Sequence, residues 1–414
     1  MNTMLPEELV DVPNPVRLII DLDAFAHNIH VFKSLAEGSM LGCVVKCNAY
    51  GLGGVELSKE ALADGADMLI VASTIEGIAL RLLGIEAPIL LLQPLNMASS
   101  TEREVKLIVK YGLTPTVGEE DSAELLSKEA SRNGREVGVH IQVDTGMGRD
   151  GYNIVNSSLY QTALEEVKNV HRLKNMRIEG IYTHFASADR RSSGDIEFTK
   201  QQITLFNKFY SSLRKEGVDI PVRHAANSAA CVLYPESHYE MVRPGIGLYC
   251  RFMDALPDGV ELKDIVKVEA LLGQKRRVPT GTTVSYERTF VTMKESTLST
   301  IPIGYYDGIN RLLSNIWSAS YRGRRVKSAG RVCMNSLVLD MADAKFENGD
   351  PITLIGSGVS VLDVARMLGT IPYEVLCNLD KGRCEKIYMK NGRVVSKKPP
   401  RIVVDAIIEA KGLL

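Results

Sequence analysis

Along the first 250 residues, short apolar runs alternate with longer stretches in which Leu and Ala return every three or four positions with charges between them. The runs are LGCVVK (41–46), DMLIVA (67–72), PILLLQ (88–93), LTPTV (113–117), VGVHIQV (137–143), RIEGIYTHF (177–185), PVRHAA (221–226) and MVRPGIGLY (241–249). Segments between them, such as VELSKEALADGA and DSAELLSKEASRNG, have the spacing of amphipathic helices. Eight strands alternating with helices over about 235 residues predict a TIM-like (β/α)8 barrel, with a doubly wound sheet as the competing arrangement. After residue 250 the runs become short and rich in Val, Ile, Thr and Tyr, separated by turns such as NGD and KNGR, which predicts a mostly β C-terminal domain. One helical piece, VSVLDVARMLG followed by TIPYEVLCN, interrupts it. The expected organisation is an extension over 1–15, a barrel over 16–254, a β-rich domain over 255–395, and a tail over 396–414 read as a basic linker plus a short helix.

Composition narrows the class. A chain of 414 residues, 45% hydrophobic and 24% charged, has no run of about 18 apolar residues that would span a membrane. The N-terminal MNTMLPEELVDVPNP lacks the positive and apolar regions of a secretory signal, so a cytoplasmic location is expected. Seven scattered cysteines without CxxC pairs argue against a disulfide framework or a metal site. A net charge of −1 offers no field for nucleic acid or anionic lipid, and points to a small-molecule partner.

Candidate chemistry clusters where a barrel would put it. Lys46, Arg149, His184, His224 with Asn227 and Ser228, and Arg243 all fall at the ends of the apolar runs or in the loops that follow, the face on which barrel enzymes build their sites. In VVKCNAYGLGG, Lys46 leaves an apolar run and enters a glycine-rich loop. A lysine desolvated at a strand end can act as a nucleophilic amine, although a lysine whose stem merely covers apolar surface accounts for this fragment equally well.

Eight ordered blocks decide between these readings. VVKCNAYGLGG, QVDTGMGR (142–149), YTHFA (182–186), HAANS (224–228), VRPGIGLY (242–249), VSYER (284–288), PIGYYDG (302–308) and GRVCMN (330–335) resemble the alanine racemase family over about residues 16–380. The resemblance implies a fold-type III pyridoxal phosphate enzyme, a homodimer whose active sites use residues of both chains. Lys46 matches the lysine that carries the cofactor and serves as one acid/base. Tyr286, from the partner subunit, matches the second, because racemisation needs a proton removed from one face of Cα and returned on the other. A phenol ordinarily titrates near 10, so as a base it needs positive charge or donors nearby, and His184 and Arg243 match residues behind it. Arg243 matches the arginine at the pyridine nitrogen, oriented by His224. Tyr50, Ser228 with its neighbour Asn227, and the amides of Gly245 and Ile246 match the phosphate site. Arg149 and the Met334 amide match contacts to the cofactor phenolate and the substrate carboxylate, and Tyr305 matches a tyrosine at the substrate entrance.

Three positions depart from the pattern. Gln142 stands where the family commonly has a carbamylated lysine, which leaves Arg149 to be held by neutral hydrogen bonds or a captured anion. Asn335 stands where aspartate is usual, removing a second negative charge. Lys381 falls at the position of a tyrosine that fixes the phosphate and narrows the pocket. A lysine replaces the phosphate contact as a point charge but not the ring, so a substrate larger or more polar than alanine, such as serine or an acidic amino acid, is the alternative to alanine itself. A solvated loop charge explains Lys381 equally well. A fold-type III decarboxylase is a further alternative, against which Arg243 and Tyr286 speak. A bare-barrel cofactor-carrying protein is another, against which the second domain speaks.

Overall fold

The structure, a computed structural model, describes residues 14–95, 102–379, 381–401 and 403–405. The expected extension up to residue 13, and the tail from 406 on, lie outside the described residues.

Eight parallel strands close into a barrel: Met40–Val44, Met68–Val71, Ile89–Pro94, Thr114–Val117, Val137–Asp144, Met176–Tyr182, Val222–His224 and Met241–Val242, the last pairing back onto the first. Each coincides with one of the eight apolar runs. Helices follow the strands and pack outside, so the strands are buried on both faces; this is why Met68–Val71 is apolar at every position rather than at every second one. No helix of the described residues is long and apolar enough to cross a membrane.

The centre of the barrel departs from the usual layers of branched aliphatics. Thr116, His140, Gln142, Tyr182, His224 and Arg243 are all buried there, and each has hydrogen-bond partners inside the barrel, as burial of polar groups requires.

The second domain is built on a ten-stranded sheet. Its first strand in the chain, Val16–Asp21, lies before the barrel: it runs antiparallel to Val266–Leu271, with Leu18 opposite Val268, and parallel to Glu385–Lys390. Residues 16–21, expected in the barrel domain, therefore sit in the second sheet, where their alternating buried positions meet partners about 250 residues away. The expected helical interruption is the pair Val361–Leu368 and Pro372–Asn378. The two domains are joined beside the Lys46 loop: the Tyr388 hydroxyl donates to the Leu52 carbonyl at 2.8 Å, and Lys390 and Lys398 reach Glu60 and Glu56 on the helix Gly54–Ala63 at 2.6 and 2.8 Å.

Asp307 is the electrostatic pin of this domain. It is fully buried, accepts the Gly304 amide at 3.0 Å, and receives the Arg383 guanidinium on both oxygens at 3.0 and 2.7 Å. Arg383 also donates to the carbonyls of Pro302 and Asn335, so three loops are held together. Asp307→Ala leaves these donors without an acceptor and is expected to destabilise the protein by about 3 kcal/mol, the lower end for breaking a buried pair because Arg383 is partly solvated. Urea unfolding monitored by circular dichroism measures it; an unchanged midpoint would contradict the assignment.

Candidate active site

Lys46 leaves the first barrel strand on an unusual backbone. Residues 47–50 all have φ between 52° and 56°, a left-handed turn that costs L-residues about 1–2 kcal/mol each. The turn is held at both ends. Asn48 accepts the Gly54 amide through its side chain at 2.8 Å, and the Ala49 amide reaches the Val45 carbonyl at 2.8 Å. Glu76, the third-position residue of the capping box on the helix Thr74–Leu82, takes the Ala72 and Ser73 amides on one oxygen at 2.8 and 3.0 Å and the Cys47 amide on the other. One carboxylate thus ties the lysine turn to the end of the second strand, and Lys46 emerges half-buried at the barrel mouth.

The same turn aims Tyr50 into a cradle. The buried Tyr50 ring packs on Tyr249 with centroids 4.6 Å apart, and on Tyr373 of the second domain at 5.9 Å. A Cβ at Gly245 would lie 2.4 Å from the Tyr50 hydroxyl, so only glycine lets this loop meet the phenol. Ser228 Oγ accepts the amides of Gly245 and Gly247 at 2.8 and 3.1 Å, which leaves its own proton to donate. The Gly245 amide, expected at the phosphate, is therefore engaged by Ser228, while Ile246, fully buried, opens the short helix Ile246–Tyr249. Asn227 caps the helix Ser228–Leu233 by accepting the Ala230 amide at 3.0 Å. Burial pushes the Tyr50 phenol well above its ordinary range, so it remains a donor. Two hydroxyl donors around a glycine suit a phosphate group.

Arg243 lies 3% exposed inside the barrel. It donates to His224 Nδ1 at 2.8 Å, to the Thr183 carbonyl at 3.0 Å and to the Ala225 carbonyl at 3.3 Å, and stacks 5.0 Å above the Tyr182 ring. Among the described residues no carboxylate pairs with it. Burial pushes it down to about 10, which leaves it charged at neutral pH. A buried cation satisfied only by neutral acceptors suits a ring nitrogen that it can donate to, and together with the cradle it fits pyridoxal phosphate.

His184 is pushed down to about 3, first by burial and then by the charges of Arg243, Arg149 and Lys46. It is therefore neutral at neutral pH, and of the two residues expected behind a catalytic tyrosine only Arg243 brings charge. Gln142 is buried and accepts the Tyr182 hydroxyl at 2.9 Å. Arg149 does have an anionic partner, which the sequence pattern did not lead us to expect: its Nε meets Asp150 at 3.2 Å at the exposed rim.

Among the described residues, the remaining expected ones make no hydrogen bond or ring contact with this group. Tyr286 is 68% exposed, flanked by Ser285, Glu287 and Arg288 at φ 65°, 59° and 53°. Glu287 locks that turn by pairing with both Arg311 and Arg331, and Ser285 donates to the Arg331 carbonyl at 2.8 Å. Tyr305 and Tyr306 are zipped by backbone bonds of 3.0 Å to Cys333 and Met334, and the Asn335 carbonyl is held by Arg383. Tyr305, Tyr306 and Met334 are exposed, as are Leu312 and Ile316 in the segment that Arg311 and Asn315 tie to the Tyr286 turn. Lys381 is exposed, and its ammonium donates to Asn378 at 2.6 Å rather than into the cradle.

Three histidines titrate with folding, His140 and His224 buried and His184 half-buried. His140 and His184 are pushed down to about 3 and His224 well below its ordinary value, all chiefly by burial. In the unfolded chain they take protons near 6.5, so below that pH the unfolded state binds more protons. The stability they leave intact above pH 6.5 is lost as pH falls from there toward 3, at about 1.4 kcal/mol per pH unit for each fully titrating histidine. Urea midpoints measured from pH 7 to pH 5 check this, and should fall less steeply in His140→Asn.

Comparison with known proteins agrees with this arrangement. The family model for the alanine racemase N-terminal domain matches residues 20–251, and that for the C-terminal domain matches residues 265–388. An alanine racemase from Carboxydothermus hydrogenoformans is 38% identical over 382 residues, covering 91% of this chain and all of that protein. The structure of alanine racemase from Clostridium difficile superposes with a TM-score of 0.85 at 31% identity, covering 94% of this chain and all of that one. The Bartonella henselae alanine racemase, described with covalently bound pyridoxal phosphate, superposes with a TM-score of 0.79 at 28% identity, covering 91% of this chain and all of that one.

Proposed function

The chain belongs to the alanine racemase family, and on that premise we propose that it is a cytoplasmic, pyridoxal phosphate-dependent racemase of L- and D-alanine. It works as a homodimer in which Lys46 of one chain and Tyr286 of its partner act on opposite faces of Cα. The observation that carries this reading is the split site. Lys46, the Tyr50–Ser228 cradle and the carboxylate-free Arg243 lie at one end of the barrel, while Tyr286 stands exposed on a turn that Glu287 and Thr289 tie to the segment carrying exposed Leu312 and Ile316. Large apolar side chains exposed on adjoining segments favour an interface.

Pyridoxal phosphate, when bound, acidifies the Cα–H bond and holds the charge left behind. The chain's residues do the rest. Lys46 removes or returns the Cα proton on one face, and the Tyr286 hydroxyl does so on the other. Tyr50 and Ser228 donate to the phosphate. Arg243, which keeps its protons at neutral pH, donates to the ring nitrogen without protonating it, limiting the electron withdrawal available and favouring prompt proton return. Arg149, steadied by Asp150, binds the substrate carboxylate. His184, kept neutral, is available to hydrogen-bond behind the partner's tyrosine without adding charge. Because Lys381 is bonded to Asn378 at the surface, alanine is favoured over an acidic substrate.

Incubating the holoenzyme with L- or D-alanine in deuterium oxide tests the reading. Deuterium at Cα accompanied by inversion, from both enantiomers, is expected. Loss of the carboxylate as carbon dioxide, or no exchange at Cα, would refute it.

A further inference from the structure

We propose that His140 is a positioning residue that fixes the tautomer of His224 and, through it, the guanidinium of Arg243. This rests on the reading that Arg243 serves the cofactor ring, but its structural part stands without any cofactor.

Hydrogen-bond logic carries it. Arginine only donates, so His224 Nδ1, 2.8 Å from Arg243, must present a lone pair. A neutral imidazole has one N–H, which must then sit on Nε2 of His224. That nitrogen lies 2.8 Å from His140 Nδ1, which must in turn accept, leaving the His140 proton on its Nε2. The donor at Arg243 and the acceptor at His140 thus favour the same tautomer of His224 from its two sides. No water competes for these groups: His224 is fully buried and His140 is 2% exposed. The His224 ring plane is fixed as well, stacked on Tyr182 at 4.7 Å and 17°.

The fold makes room for this second histidine. A Cβ at Gly180, on the neighbouring strand, would lie 2.6 Å from His140 Nδ1, so the acceptor atom occupies the space a side chain would take. Without His140 the His224 Nε2–H loses its acceptor. The other tautomer then becomes accessible, and its Nδ1–H would face the Arg243 donor head-on.

The test reads the tautomer directly in apoenzyme carrying ¹⁵N-histidine, with His224 assigned by its own substitution. Wild type is expected to show an unprotonated Nδ1 and a protonated Nε2 at His224. His140→Leu should mix or reverse them; His140→Asn, whose side-chain oxygen can accept, should retain them; Gly180→Ala, which displaces the imidazole without removing it, should mix them. In holoenzyme His140→Leu should lower kcat on the order of 10- to 100-fold with KM little changed, and His140→Asn should recover most of it. A proton on His224 Nδ1 in the wild type would overturn the proposal. So would a folded His140→Leu that keeps both the wild-type tautomer and kcat. Because the tautomer is read without cofactor, it is decided separately from whether the holoenzyme racemises alanine.

Discussion

Replacing Lys46 with alanine is expected to lower racemisation in both directions by at least about 10⁴-fold, combining loss of an acid/base group with loss of the nucleophilic amine. Borohydride treatment followed by mass spectrometry should find the cofactor attached to the wild-type chain at Lys46 and absent from Lys46→Ala. Lys46→Arg, which keeps the charge but cannot act as an amine nucleophile, should be equally inactive. The fold should survive both changes. The left-handed turn after Lys46 is held by Glu76, Asn48 and backbone bonds, none of which uses the lysine side chain. A Lys46→Ala variant with more than a few per cent of wild-type activity would remove the lysine from the reaction.

Tyr286→Phe is the second large effect. Racemisation is expected to fall by about 10²–10⁴-fold, the range for a single acid/base group. The loss should be selective in a way that mere misfolding is not. With Lys46 intact, one enantiomer should still exchange its Cα hydrogen for solvent deuterium, with retention of configuration, because the proton leaves and returns on the same face. The other enantiomer should exchange far more slowly. The ring itself is kept, and the turn that presents it is fixed by Glu287 with Arg311 and Arg331, so the dimer and the cofactor absorbance should be unchanged. Equal loss of exchange from both enantiomers would argue against one base on each face.

The sequence pattern reached the barrel because strands covered by helices on both sides leave continuous apolar runs, and each of the eight runs is a strand. It did not place Val16–Asp21, because a short apolar strand says nothing about a partner some 250 residues away. At the site, the barrel residues were legible as blocks around strand ends, but the interactions that hold them were not. Nothing in KCNAY announces four left-handed residues; the nearest signal is the Ser73/Glu76 capping box, whose carboxylate does double duty across two loops. His140 sits in an alternating strand, VGVHIQVD, where only tertiary structure shows that its ring meets His224. Asp150 and Tyr373 were equally silent: the first is a rim charge beside Arg149, the second a helix residue whose ring reaches Tyr50 from the other domain.

The exposed position of Tyr286 makes the shared site the central claim, and mixing two inactive variants tests it most directly. Lys46→Ala and Tyr286→Phe chains, each dead alone, are unfolded together and reassembled in equal amounts. In a mixed dimer one barrel retains its lysine and faces a partner with an intact tyrosine, so one of its two sites is whole. With half the dimers mixed, activity should recover to about one quarter of wild type. Activity that stays at the level of the parent variants, in a sample shown by mass spectrometry to contain the mixed dimer, would contradict the account.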